Sequence, residues 1–151
     1  MHQRKEQYRR RQPAVVNLIS AIEMEHFLGN GLVGRLGLPE KMRRERRALA
    51  RAEAEHFVAL IEEEPIGVQI GIVPDTLPHA SFQLFRQPDR QVLALSPFRL
   101  GEQPNIRVGV AMITSAPEAL ALHEKMAKEL WQRSLKGAAA VKLMHELIAR
   151  Q

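Results

Sequence analysis

The chain has 151 residues, 45% hydrophobic and 26% charged, the size and composition of one soluble globular domain. It has no cysteine, which excludes a disulfide framework, a thiol nucleophile, a Cys-ligated zinc and an iron–sulfur cluster. No apolar run approaches the ~20 residues of a membrane span, and the stretch from Met1 to Gln12 lacks the apolar centre of a signal peptide. The expected location is therefore cytoplasmic, with no membrane partner, and no cofactor is expected.

The net charge of +5 is unevenly spread. Residues 1–51 carry 12 Lys/Arg against 5 Asp/Glu, whereas residues 52–151 carry 10 against 12. Two clusters supply the excess: Arg4, Lys5, Arg9, Arg10 and Arg11, then Lys41, Arg43, Arg44, Arg46, Arg47 and Arg51. Arg forks suit phosphate better than Lys does, so a polyanion such as DNA or an acidic partner is the expected counterpart. Arg9, Arg10, Arg11, Arg43, Arg44, Arg46 and Arg47 are the candidate contacts. A solvated tail and a solvated helix face would look the same.

In chain order, residues 1–12 have no apolar periodicity and read as a basic, flexible N-terminus ahead of a single domain at 13–151. Pro13 suits a first helical turn. Val15, Val16, Leu18, Ile19, Ile22, Phe27 and Leu28 then predict a helix over 13–28 that stops at Gly29. Gly29, Gly31, Gly34 and Gly37 punctuate a loop that is not a phosphate loop, since it lacks GxxxxGK[ST] and no strand precedes it. Pro39 and Glu40 open a second helix running to Glu63, closed by Glu62-Glu63-Glu64-Pro65.

After Pro65 the pattern alternates. Val68, Ile70 and Ile72 predict a first strand. Ser81–Arg86 and Gln91–Leu95 predict a hairpin about the turn Gln87-Pro88-Asp89-Arg90. Ile106, Val108, Val110 and Met112 predict a fourth strand. Ser115-Ala116-Pro117-Glu118 matches a capping box, so a helix follows it with Trp131 as a core or interface anchor. Gly137 then separates off a last helix, Ala138 to Ala149. The expected fold is α+β: a four-stranded, mainly antiparallel sheet with two N-terminal and two C-terminal helices packed on it.

Chemistry-bearing residues are sparse. Glu23/His26 and Glu53/His56 are E-x-x-H pairs, each able to share a helix face and hold a metal, with Glu124, Glu129 and Glu146 as further carboxylates. They support an alternative reading as a small metal-dependent enzyme or metal-binding domain. His79, Ser81 and Asp75 are close in sequence, but a hydrolytic triad is defined by geometry rather than proximity. No G-x-S-x-G, H-E-x-x-H or nucleotide fingerprint occurs.

The succession Val68-Gln69-Ile70-Gly71-Ile72-Val73-Pro74, the hairpin Ser81-Phe82-Gln83-Leu84-Phe85 to Val92-Leu93-Ala94-Leu95, and Glu118-Ala119-Leu120 to Leu130-Trp131 resembles the C-terminal effector domains of bacterial helix-turn-helix transcriptional regulators. The resemblance covers about residues 53–136. It implies a regulatory domain that senses a small ligand or holds a homodimer, with DNA binding placed elsewhere. The chain departs from the pattern in having no helix-turn-helix of its own, because its first two helices are separated by too long a loop.

Overall fold

The computed structural model describes residues 14–31, 37–65, 67–75, 81–96 and 112–151. Strand β1 (Val15–Ser20) leads into helix α1 (Ala21–Asn30), helix α2 (Glu40–Glu63) and strand β2 (Val68–Val73). The hairpin β3 (Ser81–Arg86) and β4 (Gln91–Ser96), strand β5 (Met112–Thr114), and helices α3 (Pro117–Arg133) and α4 (Gly137–Ala149) follow.

The class is α+β, but the strands form two sheets rather than the single four-stranded one expected. β1 and β2 pair in parallel, Val15 opposite Val68 through Ser20 opposite Val73. β3, β4 and β5 form an antiparallel sheet in that order. The predicted helix over 13–28 is therefore a strand followed by a helix. β1 carries apolar residues on both faces: Ile19 packs against the helical core, whereas Val16 on the other face is exposed. Apolar residues at successive positions then imitate a helical stripe.

Ser20 marks the switch from strand to helix. It is buried, its Oγ accepts hydrogen bonds from the Ile22 and Glu23 amides at 3.1 and 3.3 Å, and its hydroxyl donates to the Asp75 carbonyl at 3.0 Å. One side chain thus caps α1 and ties the end of β1 to the end of β2.

The hairpin forms as predicted. Arg86 is opposite Gln91, the Gln87 amide donates to the Arg90 carbonyl at 2.8 Å, and Arg90 Nε donates to Gln87 Oε1 at 2.9 Å. The predicted fourth strand survives as Met112–Thr114; its residues 106–111 lie outside the described residues, as do residues 1–13. Helix α3 starts at Pro117, but Ser115 does not cap it. The capping position falls on Ala116, whose amide donates instead to Thr114 Oγ1 at 3.1 Å.

Helices α1, α2 and α4 cover one face of the parallel pair. Met24, Ile72 and Met144 are wholly enclosed there, with Phe27, Leu28, Val58, Ile61, Ile70, Leu147 and Ile148 around them. Ala50, Ala54 and Ala140 are also fully buried, and their small side chains let α2 and α4 lie close together. Helix α3 occupies the other side. Its His123 ring packs edge-on against Phe82, centroids 5.1 Å apart, and its Glu124 pairs with Arg86 at 3.0 Å.

Where α3 ends, it presses on β2. A Cβ on Gly71 would meet the Ser134 side chain and come within 3.1 Å of Trp131 Cζ3. Leu135 then exchanges two backbone hydrogen bonds with Ile72, at 2.8 and 2.9 Å, as a one-residue antiparallel strand on β2's other edge. Trp131 is half-buried on β2, with the Lys136 ammonium 4.7 Å above its ring.

Glycine at 71 is thus a packing requirement. Gly71→Val should cost about 1–3 kcal/mol through overpacking, read as a lower midpoint in thermal unfolding. Gly71→Ala combined with Ser134→Ala should cost less than the sum of the two single changes, because the second removes the hydroxyl that the first collides with. Strict additivity would show that the two residues do not touch.

Candidate functional site

Helix α2 is 24 residues long, about 36 Å at 1.5 Å per residue. Its buried stripe, Ala50, Ala54, Val58 and Ile61, starts only at its eleventh residue. Of residues 40–49, all are exposed except half-buried Arg46. Glu40 in the first turn sits at the positive end of the helix dipole, and Arg43 pairs with it at 2.8 Å. The Lys41–Arg51 cluster therefore sits on a helical prong.

The arginines of this prong divide into two groups. Arg47 Nε donates to the Gly29 carbonyl at 2.7 Å, so a guanidinium satisfies one of the open carbonyls at the end of α1. Arg51 bonds Glu55 at 3.2 Å and lies at 3.5 Å from the Ile148 carbonyl near the end of α4. Both line a small cleft of about 120 Å³ with Leu28, Ala48, Ile148 and Gln151. Two helix C-termini, each the negative end of a dipole, thus converge on two arginines. Gly31 closes the same junction: at φ 75° it has the left-handed backbone that favours glycine, and a Cβ there would lie 2.8 Å from Arg46 Cβ.

Lys41 and Arg44, by contrast, are exposed and make no ion pair or side-chain hydrogen bond among the described residues. With Arg43 they form the outward cationic face. Arg47 is partly committed to the fold. Arg9, Arg10 and Arg11 lie outside the described residues.

The E-x-x-H pairs are not brought together. Glu23 is half-buried and His26 exposed on α1, while Glu53 and His56 are exposed on α2, off its buried stripe. Among the described residues, no group of three or more His, Asp or Glu is placed to hold one metal ion. Glu124 is paired with Arg86 and Glu129 lies 4.0 Å from Lys125. Of the proposed triad, His79 lies outside the described residues, Ser81 is exposed, and the Asp75 carboxylate pairs with Arg133 at 2.9 Å.

Sequence reasoning missed a groove of about 590 Å³ between the end of α2 and the start of α4. Ile61 and Val141 line it together with Glu62, Glu64, Lys142 and His145. Glu64 ends α2 at φ 44° and forms its lip. The acidic triplet Glu62-Glu63-Glu64 was visible in the sequence as a helix end; its approach to α4, some 75 residues later, was not. The groove is open to solvent and sets carboxylates beside one ammonium and one imidazole.

No family model matches the chain, and no curated protein or solved structure matches it.

The division of the arginines is measurable. Arg47→Ala should lower stability by about 0.5–1 kcal/mol, the range of a surface interaction at a helix C-terminus. Arg44→Ala should stay within about 0.5 kcal/mol of the parent. Equal unfolding midpoints for the two variants, in urea or on heating, would remove the structural role given to Arg47.

Proposed function

We propose that the chain is a non-catalytic regulatory module of the effector-domain kind that accompanies bacterial helix-turn-helix regulators. In this reading it binds a small ligand or a protein partner, associates as a homodimer, and touches DNA or another polyanion through basic residues without reading sequence. The single observation that carries the polyanion contact is the exposed first half of α2, which holds Lys41, Arg43 and Arg44 clear of the core. Phosphate contacts of this kind give affinity and orientation but no base information. The open groove between α2 and α4 is the surface to which the ligand-binding part is assigned, because it gathers side chains of both charge signs around Ile61 and Val141.

The metal-dependent alternative has no comparable support, since the two E-x-x-H pairs sit on separate exposed surfaces. No helix among the described residues is long and apolar enough to cross a membrane.

Duplex DNA binding measured by fluorescence anisotropy at two salt concentrations tests the reading. Two unrelated sequences should bind equally. Three or four phosphate contacts should cost roughly 40- to 150-fold in affinity between 50 and 200 mM salt. Lys41→Ala with Arg44→Ala should weaken both duplexes alike and flatten that dependence. Tight binding of one sequence that ignores salt would overturn the proposal.

A further inference from the structure

The exposed half of α2 carries a second stripe besides its cations. Met42, Glu45, Arg46, Leu49 and Glu53 fall at i, i+3, i+4, i+7 and i+11, so they share one face. At 3.6 residues per turn this face is turned about 120° from the buried stripe of Ala50, Ala54, Val58 and Ile61. Met42, Glu45, Leu49 and Glu53 are exposed on it, and half-buried Arg46 borders the end of α1 at Gly31. Met42 is 41% and Leu49 52% exposed, two large apolar side chains one heptad apart on a helix otherwise rich in charge. Neither Glu45 nor Arg46 makes an ion pair among the described residues, and the backbone of Gly31 comes close to Arg46, since a Cβ there would lie 2.8 Å from Arg46 Cβ.

This face is complementary to itself. A two-fold axis passing between Glu45 and Arg46 lays two copies of α2 side by side and antiparallel. Met42 of each copy then faces Leu49 of the other, and Glu45 of each faces Arg46 of the other. Two apolar pairs bracket two opposite-charge pairs, as an isologous contact requires. Other registers lose this match. Placing Leu49 on the axis sets Glu45 against Glu53, like charge against like, and Met42 against His56. Arg47 and Arg51 stay out of the seam, because they reach the other way to the carbonyls of Gly29 and Ile148.

We propose that the Met42–Glu45–Arg46–Leu49 face of α2 is a homodimer contact, with a second copy of this chain as its occupant. The contact names the surface behind the homodimer in the proposed reading and is independent of the polyanion contact. It spans about two helical turns, less than a standard interface of about 800 Å² per partner, so the dimer should dissociate in the micromolar range or above.

Sedimentation equilibrium across that range tests it. The parent chain should move from its 17.1 kDa mass to twice that value as concentration rises. Met42→Glu with Leu49→Glu should stay monomeric with an unchanged circular dichroism spectrum. Glu45→Arg alone and Arg46→Glu alone should each weaken the dimer more than about tenfold, because like charges then face each other. An equimolar mixture of those two variants should recover the dimer, since every charge again meets its opposite. The mixture does not depend on whether the Glu-substituted apolar variant folds. A chain that is monomeric throughout, a dimer that survives the apolar substitutions, or a mixture that fails to recover would overturn the proposal. Measuring DNA affinity on the monomeric variant separates failure here from failure of the polyanion contact.

Discussion

Strand β2 is the element that ties the helices together, because its residues Ile70 to Val73 are buried and Ile72 is bonded on both edges. Val68, Ile70 and Ile72 point into the helical core, while Gly71 faces the end of α3. β1 pairs along one edge, and Leu135 is bonded to the other through Ile72. Backbone groups buried this deeply need partners. The parallel ladder supplies them on one side, and the two Leu135 bonds supply them near the end of the other. Gly71 is the price of that closeness: any larger residue would push Trp131 and Ser134 off the strand. The link between α3 and α4 is thereby fixed, which places α4 over the parallel pair and beside α2.

Fixing α4 in turn decides what the cations of α2 do. Ile148 near the end of α4 and Gly29 near the end of α1 present open carbonyls to the same stretch of α2, where Arg47 and Arg51 stand. A charge run that sequence presents as uniform therefore has two jobs. Its inner members neutralise helix ends. Its outer members, Lys41 and Arg44, face solvent. Local spacing could not divide them, because the division depends on helix ends about 20 residues upstream and 100 residues downstream.

The same distinction between local and distant information runs through the fold. The hairpin from Ser81 to Ser96 and the bounds of α2 and α4 were legible, because turn residues, the prolines 39 and 65 that flank α2, and Gly137 act within a few residues. β1 was not legible as a strand. Its partner lies 53 residues away, and apolar residues on both of its faces erased the alternation that identifies a strand. The two-sheet division was hidden for the same reason, since parallel pairing leaves no turn signature. For the candidate site, the basic cluster was read from composition, whereas the groove beneath Glu62 and Glu64 required knowing that α4 lies alongside.

A helix whose first ten residues have almost no core to rest on still needs a reason to stay helical. An isolated segment of that length would be marginal in water. Here the packed half from Ala50 to Ile61 serves as the nucleus, and each residue added toward the N-terminus costs only propagation. Arg, Glu, Lys, Met, Leu and Ala dominate the segment, all strong helix formers, and the Glu40–Arg43 pair supports the first turn. The prong is thus rigid without being buried. Rigidity on an exposed element lowers the ordering cost of any contact it makes. Its cationic side and its Met42–Leu49 side are turned apart around one axis, so a polyanion and a second copy can use the same helix without competing for the same side chains.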